Sequence, residues 1–391
     1  QDFKTFIDRV SELGYNAISI DDLPHLVAFD FYPEHLNTLI RQYGHEYQKL
    51  FAYAKSKNLK IFLNTDIMFS NIWIRSFVRK RFSRMLELLK LACDKAMHDY
   101  DIDGIIFRIG ESDGVDVKGK FNSELAIKTP RHANRLLREL LPLFEKQENY
   151  LIFRTWSVGV YPIGDLMWNE KTFNRVFADI SSDNLIVSMK FGDTDFFDFL
   201  PLSKLFTRGS FKKIVELQTR REREGFGEFP YYVGWQYEPY IRELIDANAV
   251  VGISVWCQTG GWSGWKNRTF LKNSSVWNEL NTFAIIQMAR YARSANEALH
   301  AWFQDEQMEQ FTRDATKLIR HIFYISPFAE QSIYFRRLRI PPLVWIFWDH
   351  VSLTPLMVAL FEFYGVNKFK MPKQELRQLL KMGRKLNINN I

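Results

Sequence analysis

Three acidic residues follow short apolar runs of the sequence: Glu111, Asp195 and Glu222. Hydrolysis of a glycosidic bond needs one carboxylic acid that protonates the leaving oxygen and a second carboxylate that activates water or attacks the sugar carbon. Three acids at the ends of three different predicted strands would face one cavity and supply that pair. The pattern therefore indicates glycoside hydrolysis, although each acid taken alone is equally compatible with a structural ion pair or a solvated loop.

Three basic residues also lie at predicted strand ends, beside these acids: Arg108, Arg154 and Lys190. A desolvated site that holds such groups binds an anion or pairs them with its own acids. A uronate carboxylate would satisfy them. Because the same cations keep nearby carboxylates ionised, the proton donor must occupy a more apolar position, where its pKa is raised. The sequence does not show which acid occupies it.

Aromatic side chains make up 16% of the chain, and most of them are expected in the core. Trp156, Trp235 and Trp262 are different, because they lie just beyond predicted strands. An indole ring at that position can stack on a sugar. We therefore expect these three residues to bind substrate together with the three basic residues.

Eight short β-branched or aromatic runs alternate with amphipathic helical stretches. The predicted strands are 17–20, 60–64, 104–107, 150–154, 185–190, 213–217, 231–234 and 251–256, and the predicted helices between them include 35–57, 74–99, 130–145, 170–177 and 239–247. Alternation of this kind is typical of a parallel sheet covered by helices. Eight units within about 270 residues predict an α/β protein with a (β/α)8 TIM barrel, whose active site lies at the carboxyl ends of the strands.

After residue 272 the strand pattern stops and helical periodicity continues to the end of the sequence. No repeat or Gly/Ser-rich linker separates the two parts. We therefore expect a catalytic barrel at 1–272 and a helical C-terminal region at 273–391 that packs on the barrel. The sequence starts at Gln1 without a leader pattern, which suggests a processed, truncated or engineered start.

Several other classes of function have little support. The net charge is +7, from 52 Lys and Arg against 45 Asp and Glu, but the basic residues are dispersed, so nucleic-acid binding is only a third alternative. Cys93 and Cys257 are the only cysteines, and no histidine pair has metal-ligand spacing. No nucleotide-binding or serine-hydrolase motif occurs. We expect no metal and no cofactor.

The long apolar stretch 340–361 is interrupted by Asp349, His350 and three prolines, so it predicts buried helices and no membrane span. The sequence does not fix the compartment. A periplasmic or secreted location is favoured, and a cytoplasmic location is kept as the alternative. The sequence also leaves open whether the protein forms a homodimer.

The blocks around the candidate acids resemble glycoside hydrolase family 67, the α-glucuronidases, between about Ala17 and Gln304. "NLIVSMKFGDTDFFDFLPLSKLF" is similar to the family block in which a lysine precedes the catalytic aspartate by five residues, here Lys190 and Asp195. "ELQTRREREGFGEFPYYVG" is similar to the block with a glutamate four residues after a glutamine, which implies Glu222. "GIIFRIGES" resembles the strand of the general acid and implies Glu111, and "YLIFRTW" implies Arg154 as a substrate-binding residue.

The resemblance implies an inverting, exo-acting enzyme that removes (4-O-methyl-)glucuronic acid from xylan-derived oligosaccharides. In that reaction Glu111 protonates the leaving oxygen, while Asp195 and Glu222 polarise the attacking water. The family has a lysine four positions before the general acid, whereas this sequence has Arg108 three positions before Glu111. The family's N-terminal β-rich domain does not occur in this sequence. The alternatives are a divergent glycosidase for another α-linked sugar and a carbohydrate-binding barrel without catalysis.

Overall fold

The computed structural model describes residues 2–110, 121–157, 161–192, 196, 198–245, 247, 249–258, 268–320, 324 and 374, and the backbone of 333–335 and 338–340. At residues 222, 223 and 226 only the backbone is described. Glu111, Asp195 and Trp262 lie outside the described residues.

The strands follow in chain order. They are β1 (Ala17–Ile20), β2 (Lys60–Asp66), β3 (Phe69–Ser70), β4 (Gly104–Arg108), β5 (Asn122–Ser123), β6 (Tyr150–Arg154), β7 (Leu185–Lys190), β8 (Lys212–Gln218), β9 (Val250–Trp256), β10 (Ile333–Phe335) and β11 (Leu338–Ile340). Seven of them form one parallel sheet in the order β1-β2-β4-β6-β7-β8-β9. The pairs β3–β5 and β10–β11 are short antiparallel ladders.

Helices alternate with these strands. They are α1 (Asp2–Glu12), α2 (Glu34–Ser56), α3 (Ile72–Val78), α4 (Phe82–Asp99), α5 (Pro130–Lys146), α6 (Glu170–Val176), α7 (Gly234–Ile245), α8 (Val276–Tyr291), α9 (Ala295–Phe303) and α10 (Glu306–Ile319). Short 3-10 helices occupy Leu23–His25, Lys204–Thr207 and Glu222–Gly227. A curled parallel sheet with surrounding helices is an α/β TIM-barrel-like fold, as predicted.

The predicted strand at 231–234 is wrong. These residues lead into α7, and their backbone amides are bonded to side chains of the helices that follow the sheet. The Tyr232 N–H donates to Thr316 Oγ1 at 2.9 Å, and the Val233 N–H donates to Asn281 Oδ1 at 2.9 Å. Because side chains of these helices accept the amide hydrogen bonds that a neighbouring strand would otherwise accept, the buried run Tyr231–Val233 forms no strand.

Side-chain alternation along the strands divides the core into two layers. Outward residues such as Ile61, Leu63 and Phe107 are fully buried beneath the helices. Inward residues form a separate, smaller apolar cluster around Ile106 and Ile152. This arrangement follows from the period of two in a β-strand, and it leaves the polar inward residues at the carboxyl ends of the strands.

The sheet has a seam between β1 and β9, because the described strands show no ladder between these two. On the other strands only alternate residues line the internal cavity, whereas all residues of 17–21 and of 251–258 line it. A strand can present both of its faces to one cavity only along an unpaired edge. The connection from α1 to β1 contacts α8 near the seam, since Tyr15 Oη donates to the carbonyl oxygen of Thr282 at 2.7 Å.

The helices after the sheet share its core. Leu280, Ala284 and Leu299 belong to the same buried cluster as the outward residues of the strands. Asp198, which follows β7, accepts hydrogen bonds from Arg320 Nε at 2.6 Å and from Tyr231 Oη at 2.5 Å. The helical region therefore packs directly on the barrel as far as Arg320. Among the described residues, no helix is both long and apolar enough to cross a membrane.

Candidate active site

The barrel encloses a cavity of about 1240 Å³ that reaches the carboxyl ends of the strands. Its described lining contains more cationic than acidic side chains. The cations are Lys60, Arg108, Arg154, Lys212, Arg220 and Arg268, and the acids are Asp2, Asp21 and Glu216. Lys60 and Lys212 open β2 and β8 and so lie at the amino ends of the strands, whereas Arg108 and Arg154 end β4 and β6 and lie at the carboxyl ends. No group of three His, Cys, Asp or Glu side chains with metal-binding geometry occurs within the described part of the chain.

A guanidinium and several carboxylates meet where β1, β2 and β4 end. Arg108, the last residue of β4, donates from Nε to Asp66 Oδ1 at 3.1 Å and from Nη1 to Asp21 Oδ1 at 3.1 Å. Parallel register brings Asp66 and Arg108 side by side. Both carboxylates are thereby held at the rim of the cavity, and the positive charge of Arg108 is matched by its neighbours.

Asp22 belongs to the same group but has a different environment. Its Oδ1 is shielded from solvent and has no hydrogen-bond partner. Burial is the main cause that raises the pKa of Asp22 to about 8; Arg108 opposes the rise, and the carboxylates of Asp21 and Asp66 add to it. At neutral pH Asp22 is therefore mostly a neutral carboxylic acid. A neutral acid beside ionised carboxylates can donate a hydrogen bond or a proton.

A second polar group lies across β6, β7 and β8. Arg154 Nε donates to Glu216 Oε1 at 2.8 Å and Nη2 donates to Oε2 at 3.0 Å, while Ser188 Oγ donates to Oε1 at 2.6 Å. Glu216 is 1% exposed. Burial raises its pKa, but Arg154, Ser188 and Lys190 outweigh burial and hold the pKa below its usual value. The guanidinium of Arg154 also lies 4.2 Å from the ring centre of Trp256.

Lys190 ends β7 next to this pair, opposite Glu216 in the register. Its ammonium group lies 4.5 Å from the ring centre of Trp156 and 4.7 Å from that of Phe196. The indole N–H of Trp156 is buried without a hydrogen-bond partner. Lys190, Trp156 and Arg154 are therefore brought to one end of the barrel, as the sequence predicts.

The remaining predicted residues have varied positions. Trp235 lies on α7, where its indole N–H donates to Asn296 Oδ1 at 2.9 Å, and it is not among the described residues that line the cavity. Glu222 opens the 3-10 helix Glu222–Gly227, which begins shortly after β8. Glu111 follows β4 in the sequence, and that strand ends at Arg108. Asp195 follows β7, which ends at Lys190.

Sequence reasoning missed the roles of Asp22, Glu216 and Trp256. Glu216 occupies an inward position of β8, two residues before Gln218, so strict alternation along that strand was the available signal. Asp22 is one of two adjacent aspartates that follow β1, and the sequence does not distinguish it from Asp21. Only the three-dimensional neighbours distinguish its buried carboxyl from that of Asp21, which is 61% exposed.

Known proteins resemble this chain only remotely. No protein-family model and no curated protein matches the chain. Similar solved structures include an endocellulase from Pyrococcus horikoshii in complex with cellotetraose (TM-score 0.45, 12% identity, 73% of this chain and 86% of that one). A GH18 chitinase from Pseudoalteromonas aurantia has a TM-score of 0.39 and 11% identity over 71% of this chain and 95% of the other. At these values the similarities carry no argument about activity.

Proposed function

We propose that this protein is a glycoside hydrolase that removes an α-linked uronic acid, (4-O-methyl-)glucuronic acid, from xylan-derived oligosaccharides. The observation that carries the proposal is the part of the cavity at the carboxyl ends of the strands, where Arg108 and Arg154 line the wall and the guanidinium of Arg154 lies 4.2 Å from the ring centre of Trp256. Such a site offers an aromatic ring to a sugar and guanidinium hydrogen-bond donors to its carboxylate.

The proposed roles follow the chemistry of an inverting glycosidase. Glu111 donates a proton to the glycosidic oxygen as its bond to the anomeric carbon breaks. Asp195 and Glu222 orient a water molecule on the opposite face of the sugar and accept its proton. In an inverting enzyme the two sets of carboxyls stand roughly 6.5–9.5 Å apart, which leaves room for the water.

The cations have a secondary role in this scheme. Arg154 and Arg108 are both paired with carboxylates, so each binds substrate while its own charge is matched. Lys190 lies beside the Arg154–Glu216 pair and helps to keep Glu216 ionised. We assign the glycone carboxylate to this side of the cavity, at the ends of β6 and β7.

The first test is a series of isosteric variants. Glu111→Gln, Asp195→Asn and Glu222→Gln each keep the side-chain shape and remove the acid–base function, so each should lower kcat by at least about 100-fold on aldouronic acids. Glu228→Gln, a nearby acid without an assigned role, is the matched control and should retain activity. Release of glucuronic acid measured by chromatography gives the result. Full activity in all three variants would contradict these assignments.

One observation favours the second candidate, a glycosidase for an uncharged α-linked sugar. Both arginines at the rim are neutralised by acids, which lowers the charge that an incoming carboxylate meets. Hydrolysis of neutral α-linked oligosaccharides, with no turnover of aldouronic acids, would favour that candidate.

A further inference from the structure

The side chains on either side of Glu222 are buried and bonded to each other. The guanidinium of Arg221 is 0% exposed and donates to both carboxylate oxygens of Glu224, from Nε at 2.7 Å and from Nη2 at 2.7 Å. Arg221 Nη1 also donates to Gln236 Oε1 on α7, and Tyr324 Oη donates to Glu224 Oε1. The backbone at Glu222, the first residue of its 3-10 helix, therefore lies between two fixed side chains.

Tyr231 connects this ion pair to the loop that follows β7. Its ring centre lies 4.8 Å from the guanidinium carbon of Arg221, and its hydroxyl donates to Asp198 Oδ2 at 2.5 Å. The backbone carbonyl oxygen of Tyr231 accepts a hydrogen bond from Asn281 Nδ2 on α8 at 2.9 Å. The Tyr231 side chain is therefore fixed at both of its ends, with the Arg221 guanidinium packed against its ring.

Asp198 is also held by groups other than Tyr231. It is 1% exposed, and Arg320 donates to it from Nε at 2.6 Å and from Nη2 at 3.2 Å. The Phe199 N–H donates to Asp198 Oδ1 at 2.8 Å. Because Arg320 supplies the counter-charge, loss of the Tyr231 hydroxyl leaves no unpaired buried charge. The protein should therefore fold without this hydroxyl.

We propose that Tyr231 is a positioning residue, which ties the loop after β8 to Asp198 and thereby holds Glu222 in the geometry that the reaction needs. The inference rests on the proposed function, because it takes Glu222 to be one of the residues that activate water. Tyr231 acts through the Arg221–Glu224 pair and does not touch the substrate. A displacement of about 1 Å in a reacting group costs up to about 100-fold in rate, so a hydrogen bond outside the reacting centre can control kcat.

Tyr231→Phe removes the hydroxyl and keeps the ring beside Arg221. We expect kcat on aldouronic acids to fall about tenfold and KM to change less than about twofold, because Tyr231 orients a catalytic group and binds no substrate. Tyr232→Phe is the matched control. Tyr232 is 1% exposed, and its hydroxyl donates to the carbonyl oxygen of Ala295 at 2.7 Å. This variant also loses a buried tyrosine hydrogen bond and should keep kcat within about twofold.

Hydrogen exchange measured by mass spectrometry follows the coupling of the two loops without substrate. In Tyr231→Phe, peptides that contain Phe199 and Glu224 should both exchange at least about threefold faster, whereas in Tyr232→Phe neither should change. If aldouronic acids are hydrolysed and Tyr231→Phe has the same kcat as Tyr232→Phe, the inference is overturned while the proposed function stands.

If the protein hydrolyses no aldouronic acid, the proposed function fails and the role of Tyr231 in the reaction fails with it. The exchange result then still decides whether Tyr231 couples the two loops. Unchanged exchange in the peptide that contains Phe199 would contradict that coupling.

Discussion

The buried pair of Arg154 and Glu216 is the strongest interaction of the site at the level of single residues. Two parallel hydrogen bonds join them, and Ser188 and Trp256 complete their surroundings. A buried ion pair adds little net stability compared with an apolar replacement, but loss of one partner leaves an uncompensated charge. The pair therefore fixes the position of Arg154 more than it stabilises the barrel.

Glu216→Gln should lower the free energy of unfolding by about 3 kcal/mol, because it leaves the Arg154 guanidinium buried without its counter-charge. The double variant Arg154→Met/Glu216→Leu should recover most of that loss. Urea unfolding of Arg154→Met, of Glu216→Leu and of the double variant measures the coupling. Additive costs would show that the two residues do not act as a pair.

Asp22 makes stability depend on pH with a definite sign. Its pKa is raised in the folded state, so the unfolded chain loses this proton first and stability falls as the pH rises from about 4 to about 8. Asp22→Asn removes this slope. Relative to the unmodified protein it should gain about 1 kcal/mol or more at pH 8 compared with pH 5, as measured by denaturant titration. An unchanged slope would place the Asp22 carboxyl in water.

At the level of elements, the sequence predicted all seven sheet strands to within two residues at either end, and β1, β6 and β7 with the observed bounds. It succeeded there because buried parallel strands are continuous apolar runs between polar ends. The strand prediction failed at 231–234, where the run is equally apolar but its amides donate hydrogen bonds to the side chains of Thr316 and Asn281. Long-range partners of this kind leave no local signal.

The seam between β1 and β9 has a consequence for backbone exchange. Alternate amides along Ala17–Ile20 and Val250–Trp256 face the seam and have no strand partner within the described part of the chain, whereas β4 and β6 are paired on both sides. Native-state hydrogen exchange followed by NMR should show the seam-facing amides at least about tenfold less protected than those of β4 and β6. Equal protection would mean that the seam is closed by backbone hydrogen bonds.

For the whole molecule, the barrel-like architecture and the direction of the site could be predicted, because strand ends of a parallel barrel converge on one face. Arg108, Arg154 and Lys190 do lie at that face. Their partners could not be predicted, since the contact of Arg154 with Glu216 joins residues 62 positions apart and depends on the register of three strands. The sequence therefore indicated a charged cleft, and the structure added how its charges are matched.

The central claim is that this cavity hydrolyses the bond to an α-linked uronic acid. Incubation of the protein with aldouronic acids, beside neutral α-linked oligosaccharides of the same length, tests it most directly when the products are followed by proton NMR. The account predicts release of glucuronic acid from the aldouronic acids alone, with the β-anomer appearing first because the reaction inverts the anomeric carbon. Release of neutral sugar only, or first appearance of the α-anomer, would contradict it.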